Sequence, residues 1–131
     1  MGKTLFTGDF EINASNKMLY PYISSASGLT QWFADDVSID EDGVFNFTWD
    51  HENHKAKMVS HRQNHYCKFE FLPETEEDKE DPSHFELRLE LNELTQSVYI
   101  KITDYSDFED EEELHDLWSS LIETLKETVG G

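Results

Sequence analysis

The sequence predicts an α+β fold in which a strongly curved antiparallel sheet wraps around a long C-terminal helix. Short segments of alternating apolar and polar residues, the pattern of half-buried strands, recur between residues 4 and 102. After residue 37 they follow one another without helical patterns between them, which favours strands joined by hairpins. The chain then closes with an apolar stripe of helical spacing over residues 114–129.

The first strand and two short helices are predicted before the main run of strands. Apolar residues at even positions predict a strand from Thr4 to Ile12, and Ser15 can cap a helix that runs to Ile23. Pro21 inside that helix predicts a broken or irregular geometry. A second short helix is predicted from the i, i+3, i+4 face formed by Leu29, Trp32 and Phe33.

The later strands define which side chains face the core. Glu41-Asp42-Gly43 predicts a hairpin turn, and the acidic stretch from Pro73 to Asp81 predicts a loop. Because side chains alternate between the two faces of a sheet, one parity of each strand points inward. The predicted inward positions are Phe45, Phe47, Trp49, Ala56, Met58, Cys67, Phe69, Phe71, Phe85, Leu87, Leu89, Leu91, Val98, Ile100 and Ile102.

The C-terminal helix is predicted from its caps and from its apolar stripe. Ser106 and Glu109 have the spacing of a capping box, and Gly130 follows the last apolar residue as a helix stop. The carboxylates from Glu109 to Glu113 suit the positive end of the helix dipole. The stripe consists of Leu114, Leu117, Trp118, Leu121, Leu125 and Val129.

Length and composition indicate one globular domain over residues 1–131. Of the 131 residues, 37% are hydrophobic and 13% aromatic, enough for a core of bulky side chains. Apolar runs stay well below the ~20 residues of a membrane helix, and the first residues lack the apolar core of a secretory signal. A single cysteine excludes an internal disulfide and fits a reducing compartment. We therefore expect a cytoplasmic protein without membrane insertion.

The charge balance is strongly acidic and limits the classes of partner. Ten Lys and Arg residues stand against 29 Asp and Glu residues, a formal net charge of -19. Such a field repels phosphates, so we expect neither nucleic acid nor anionic membrane surfaces as partners. The charge serves solubility, and it leaves the identity of any protein partner unknown.

A set of segments along the chain resembles a known family, the START-like (SRPBCC) superfamily, which has the helix-grip fold of the birch-pollen allergen. Within it the chain is similar to the branch homologous to activators of the heat-shock chaperone ATPase, and most of all to small START-like proteins of Bacteroidetes. The segments that carry the resemblance are Ile12-Asn13-Ala14-Ser15, Met18-Leu19-Tyr20, Ser27-Gly28-Leu29-Thr30-Gln31-Trp32-Phe33-Ala34-Asp35-Asp36-Val37, Phe45-Asn46-Phe47-Thr48-Trp49, Glu93-Leu94-Thr95 and Leu117-Trp118.

The resemblance implies a deep cavity between the sheet and the C-terminal helix. Members of the superfamily bind lipids, sterols, polyketides or other apolar molecules, and some are enzymes or co-chaperones. The co-chaperone that gives the branch its name has a separate N-terminal chaperone-binding domain, for which this chain has no room. Chaperone stimulation is therefore not expected to carry over.

The predicted interior argues against catalysis, because acid–base chemistry needs a titratable group in contact with the substrate. Among the inward positions only Cys67 is ionisable, and a buried strand cysteine behaves as a small hydrophobe unless its pKa is lowered. Tyr20 and Tyr22 can reach inward from the irregular helix, where packing is the favoured role. We predict no catalytic residue, and enzymatic activity stays uncertain, with its absence favoured.

Metal and cofactor sites are not predicted. His61 and His65, at i and i+4 on a strand, would lie ~13 Å apart, although a hairpin could bring them closer. His51 and His54 fall near a turn, where a solvated role is favoured. The segment Asp40-Glu41-Asp42-Gly43 resembles part of a calcium loop but lacks the final glutamate, so a hairpin turn is preferred.

Three functional hypotheses follow. The first is a noncatalytic protein that binds a small apolar, lipid-like ligand in the cavity. The second is a protein-interaction module of co-chaperone type that uses the acidic surface, and the third is an enzyme acting on an apolar substrate. Three tryptophans from different elements should converge on the cavity, and either line it or fill it. The predicted cavity residues are Trp32, Phe47, Trp49, Met58, Phe69, Leu89, Ile100, Trp118 and Leu121.

Overall fold

A computed structural model describes residues 2–107 and 110–130. In this part of the chain a seven-stranded antiparallel sheet, in the order β1-β7-β6-β5-β4-β3-β2, packs against the C-terminal helix. The predicted α+β fold is therefore confirmed. The elements are β1 (Thr4–Ile12), α1 (Asn16–Ser24), α2 (Ala26–Thr30), β2 (Asp36–Ile39), β3 (Phe45–Trp49), β4 (Glu52–Arg62), β5 (Tyr66–Phe71), α3 (Glu76–Glu80), β6 (His84–Asn92), β7 (Ser97–Ser106) and α4 (Glu111–Val129).

The two short helices follow β1 and meet at a close backbone contact. Ser15 caps α1 as predicted, its side chain accepting the N–H of Met18 at 3.1 Å. Ser25 caps α2 in the same way and accepts the N–H of Gly28 at 3.0 Å. A Cβ at position 28 would overlap the carbonyl oxygen of Pro21, so the absence of a side chain at Gly28 lets α1 and α2 approach each other.

The β2–β3 hairpin closes through Asp40, which confirms the predicted turn. The carboxylate oxygen Oδ1 of Asp40 accepts the N–H groups of Asp42 and Val44 at 2.9 and 3.1 Å. Gly43 supplies the positive φ of 78° that this turn requires.

A β-bulge interrupts the pairing of β4 with β5. Met58 lies opposite Phe69 and Ser60 opposite Lys68, which leaves Val59 as the extra residue of β4. Bulges of this kind bend a strand and increase its local twist. The bulge therefore contributes to the curvature that lets the sheet wrap around α4.

The predicted acidic loop contains one short helix, α3. Thr75 caps it by accepting the N–H of Asp78 at 3.1 Å, and acidic residues fill its first turn. Lys3, from the start of the chain, forms an ion pair with Asp78 at 3.1 Å and donates to the carbonyl oxygen of Asp81. These contacts hold the segment against the rest of the protein.

Helix α4 begins later than predicted. Asp110 is the N-cap and accepts the N–H of Glu113 at 2.8 Å, whereas Ser106 is the last residue of β7 and pairs with Thr4. Because a residue within a strand ladder cannot cap a helix, the predicted role of Ser106 was wrong. Glu109, its predicted partner, lies outside the described residues. Gly130 ends the helix in the left-handed conformation, as expected.

The buried face of α4 differs from the predicted stripe at two positions. Ile122 is fully buried, although it was not predicted, and Leu117 is 45% exposed. The buried set sits at spacings of about four residues along one face and consists of Leu114, Trp118, Ile122 and Leu125. On the sheet, all predicted inward positions are buried or packed against the core except Leu91, which is 48% exposed at the end of β6.

No helix within residues 2–107 and 110–130 combines the length and the apolar character that a bilayer crossing demands.

Candidate binding pocket

A pocket of about 480 Å³ lies between α4 and one end of the sheet. Its residues come from the α2–β2 connection, the end of β3 with the turn that follows, the start of β4, the end of β5, the start of β6, the end of β7 and the middle of α4. Because these strand ends meet at one edge of a curved sheet, segments distant in sequence form one concave surface. The lining residues are Phe33, Trp49, Asp50, Glu52, His54, Phe71, Phe85, Asp104, Leu117, Trp118 and Leu121.

Five aromatic side chains form the wall of this pocket. Phe33 contacts Trp49, Phe85 and Trp118 with ring centroids 5.3, 4.9 and 5.6 Å apart. Phe85 also contacts Phe71 at 5.7 Å. Rings at these distances support one another, so the wall is held by its own packing. We call Phe33, Trp49, Phe71, Phe85 and Trp118 the aromatic wall.

The two tryptophans of the aromatic wall are fixed by their indole N–H groups. Trp49 Nε1 donates to the carbonyl oxygen of Phe33 at 2.8 Å, which joins the end of β3 to the α2–β2 connection. Trp118 Nε1 donates to Oδ2 of Asp104 at 2.8 Å, which joins α4 to β7. Both donors are therefore used by the protein itself.

Asp104 is the buried ionisable group of the pocket. Its residue surface is 8% exposed, and it lies on the inward face of β7 in line with Val98, Ile100 and Ile102. Burial raises the pKa of Asp104 above its ordinary value, and the hydrogen bond from Trp118 opposes that rise by favouring the carboxylate.

Asp104 was missed by the sequence reasoning, although its signal is present. The apolar alternation of Val98, Ile100 and Ile102 ends at Ile102, whereas the strand continues for four more residues. Extending the same parity by one step places Asp104 inward. The predicted interior, in which Cys67 was the sole ionisable side chain, therefore needs this correction.

The predicted cavity residues divide into two groups. Trp49, Trp118 and Leu121 line the pocket. Met58 packs against the core, and the other five residues are buried within it: Trp32, Phe47, Phe69, Leu89 and Ile100. The structure thus brings the first group together at one site, and ligand binding by any of the nine stays a prediction. Phe33, Phe71 and Phe85 complete the wall but were not predicted for the site. Phe33 was predicted on the second short helix and lies instead in the connection that follows α2.

Cys67 lies away from this pocket and is chemically protected. It is fully buried, and its Sγ donates to the carbonyl oxygen of Ile23 at 2.9 Å. Burial, with a smaller contribution from the negative charge of Glu86, raises the pKa of Cys67 to about 12. The thiol therefore links β5 to α1 and stays protonated at neutral pH.

The histidines considered as metal ligands lie at the β4–β5 hairpin and at the pocket. Within residues 2–107 and 110–130, the side chains of His, Cys, Asp and Glu form no group of three or more that could hold a metal ion. His61 is on β4, and His65 lies in the turn that leads to β5. His54 lines the pocket, where its ring lies 5.4 Å from that of Trp49.

The fold and the chain are similar to known proteins. The sequence profile described as START-like superfamily domain matches residues 1–131. A chain from Bacteroides fragilis, BfR322, is 30% identical, with 98% of this chain and 92% of that chain covered and a TM-score of 0.63. A comparison with curated proteins finds no match.

Two more distant structures share the fold. The Aha1 dimer from Colwellia psychrerythraea is 16% identical, with 96% of each chain covered and a TM-score of 0.75. Protein BH1534 from Bacillus halodurans is 14% identical, with 98% of this chain and 99% of that chain covered and a TM-score of 0.73. The predicted family resemblance is confirmed, and the chain belongs to the START-like superfamily.

Proposed function

We propose that this protein binds a small apolar molecule in the pocket between α4 and the sheet and catalyses no reaction on it. The observation that carries the proposal is the aromatic wall, which lines a space of about 480 Å³ together with Leu117 and Leu121. A pocket of this size and character is typical of small-molecule sites. The superfamily, whose members commonly bind hydrophobic ligands, supports the same conclusion.

The binding energy would come from apolar surface removed from water. At roughly 25 cal/mol per Å² of buried apolar surface, an alkyl chain that buries about 200 Å² gains about 5 kcal/mol before the cost of association. Leu121 and the exposed Leu117 flank Trp118 on α4 and extend the apolar surface at this pocket. Such a ligand needs no more than one or two polar contacts to fix its orientation.

The enzyme hypothesis needs a titratable group inside the pocket, and Asp104 meets that condition. One of its carboxylate oxygens already accepts the N–H of Trp118, and this bond attaches α4 to the sheet. Because that oxygen is already used in a hydrogen bond between α4 and β7, Asp104 is a poor candidate for proton transfer to or from a ligand. Binding without catalysis is therefore the function that we favour.

A titration with 1-decanol tests the proposal. We expect the indole N–H signals of Trp49 and Trp118 to shift saturably in ¹H–¹⁵N spectra, while the indole signal of the core residue Trp32 shifts less. Leu121→Trp fills the pocket and should abolish the shifts without unfolding the protein. Leu94→Trp, at a fully exposed turn position, is the matched control and should leave them unchanged. Equal shifts in Leu121→Trp and the native protein would refute the proposal.

A second candidate is a protein-interaction module that recognises a basic partner. The formal charge of -19 favours it, because such a surface attracts positively charged proteins over long distances. Binding of this kind weakens as salt is added. Capture of a basic partner that is equally strong at low and high salt would contradict recognition by charge.

A further inference from the structure

We infer that the ligand of this pocket is an apolar organic cation, an alkyl chain or ring system that carries an ammonium group. The inference rests on the proposed function and narrows it to one class of ligand. It comes from three properties of the lining residues. They present aromatic rings, their charges are mainly negative, and their indole N–H donors are already bound within the protein while carboxylate acceptors remain.

The aromatic wall suits a cation as well as an alkyl chain. The faces of aromatic rings are negative, so a cluster of rings attracts an ammonium group in addition to providing apolar contact. Phe33, Phe85 and Trp118 are almost completely buried, whereas Trp49 and Phe71 keep part of their surface exposed. The ring surface that a cation entering the pocket can contact is therefore mainly that of Trp49 and Phe71, which the three buried rings support from behind.

The charged residues of the pocket are mainly acidic. Asp104 lies inside, and the exposed residues Asp50 and Glu52 lie on the lining near the start of β4. Among the described lining residues there is no Lys or Arg, and His54, with Nε2 3.9 Å from Oε2 of Glu52, is the sole basic side chain. Three carboxylates around an apolar space favour a positive ligand group and repel a negative one.

The hydrogen bonds of the pocket also favour a positively charged ligand group. The N–H groups of Trp49 and Trp118 are both donated within the protein, so a ligand carbonyl or carboxylate would find neither indole available. Asp104 offers carboxylate oxygen instead, which accepts hydrogen bonds from an ammonium group. Burial raises the pKa of Asp104, and an ammonium group beside it would favour the carboxylate form.

Three probes that share one alkyl chain test the inference. Decylamine, 1-decanol and decanoate carry a positive, a neutral and a negative headgroup, and each is titrated at 0.15 M salt below its micellar concentration while the Trp49 and Trp118 signals are followed. We expect decylamine to bind at least about tenfold more tightly than 1-decanol, because cation–π attraction and the carboxylate act together. Decanoate should bind most weakly.

Two variants separate the pocket charge from the overall charge of the protein. Asp104→Asn keeps an acceptor for Trp118 but removes the negative charge, and it should reduce the preference for decylamine over 1-decanol to about threefold or less. Glu127→Gln removes one exposed negative charge of α4 outside the pocket and should leave the preference unchanged. Circular dichroism confirms that both variants are folded.

The outcomes distinguish this inference from the proposed function. If 1-decanol binds as tightly as decylamine, the ligand need not be a cation and the inference fails, while the proposed function stands. If both variants weaken decylamine binding equally, the preference arises from the overall charge of the protein, and the inference again fails. If none of the three probes shifts the indole signals, the proposed function fails together with the inference.

Discussion

The hydrogen bond between Trp118 and Asp104 should be a main attachment of α4 to the sheet, and Trp118→Phe tests it. Phenylalanine keeps an aromatic ring against Phe33 and Phe85 but removes the N–H that Asp104 accepts at 2.8 Å. Leaving a buried charged acceptor without its donor costs about 1.5–3 kcal/mol. The smaller ring adds about 1 kcal/mol for lost volume.

We therefore expect Trp118→Phe to lower the free energy of unfolding by about 2.5–4 kcal/mol at pH 8, far above the ordinary pKa of a carboxyl group. At roughly 4 °C per kcal/mol for a chain of this length, the melting temperature should fall by about 10–16 °C. Urea denaturation followed by far-UV circular dichroism measures the free energy, with equal slopes in both proteins as the condition for comparison.

The pH dependence of the effect of Trp118→Phe separates the contribution of the hydrogen bond from that of the lost ring volume. Burial raises the pKa of Asp104 in the folded state, so the folded protein binds more protons than the unfolded chain just above the ordinary value of 3.8. The contribution of Asp104 to stability therefore falls as pH rises through that window. As pH falls toward the ordinary value of 3.8, the raised pKa favours protonation of Asp104 in the folded protein. The effect of Trp118→Phe should then shrink by about 1 kcal/mol, because an unpaired neutral acceptor costs less than an unpaired carboxylate.

Two results would refute this reasoning. A loss below about 0.5 kcal/mol at pH 8 would mean that the bond contributes little to holding α4. A loss of the same size at pH 8 and at pH 4 would mean that the ring volume, rather than the carboxylate, determines the effect. Asp104→Asn in the same background is the control, since the difference between the two pH values should disappear.

Two further predictions concern other parts of the core. Cys67 should react with a thiol reagent at pH 8 only as fast as the protein unfolds, and at once in urea. Because its pKa in the folded protein, about 12, exceeds the ordinary 9.0, the free energy of unfolding should fall as pH rises from 9 to 12. Cys67→Ala should remove this pH dependence. Gly28→Ala should cost more than about 3 kcal/mol in urea denaturation, because its Cβ meets the backbone of Pro21. Gly43→Ala, at a positive φ with open space around it, should cost about 1 kcal/mol, and equal losses at both glycines would contradict the packing explanation.

The order of elements could be predicted from the sequence because each strong pattern belongs to one structure. Nine residues of strict alternation in β6 and a four-turn apolar stripe in α4 allow few alternatives. The start of α4 could not be fixed in the same way, since Ser106 and Asp110 are both good N-caps. Only the pairing of Ser106 with Thr4, a contact between β7 and the first strand, decides between them.

The site was harder to predict than the fold for a physical reason. A filled core and an open pocket both require apolar walls, so the sequence named Phe47 and Trp49 alike, while only the structure separates the fully buried ring from the one that lines the pocket. Asp104 was not predicted because the apolar alternation of β7 ends at Ile102, one inward position before it. A polar residue on the inward parity of a strand is the signal that such a search needs.

The bulge at Val59 also affects how related sequences should be aligned. Before it, even-numbered residues of β4 such as Met58 face inward; after it, Ser60 faces outward opposite Lys68. A chain that lacks residue 59 would keep all remaining β4 side chains on their present faces. A deletion elsewhere in β4 would move the side chains on one side of the deletion to the opposite face. Length variation among relatives is therefore expected to concentrate at this residue, with a flatter sheet wherever it is missing.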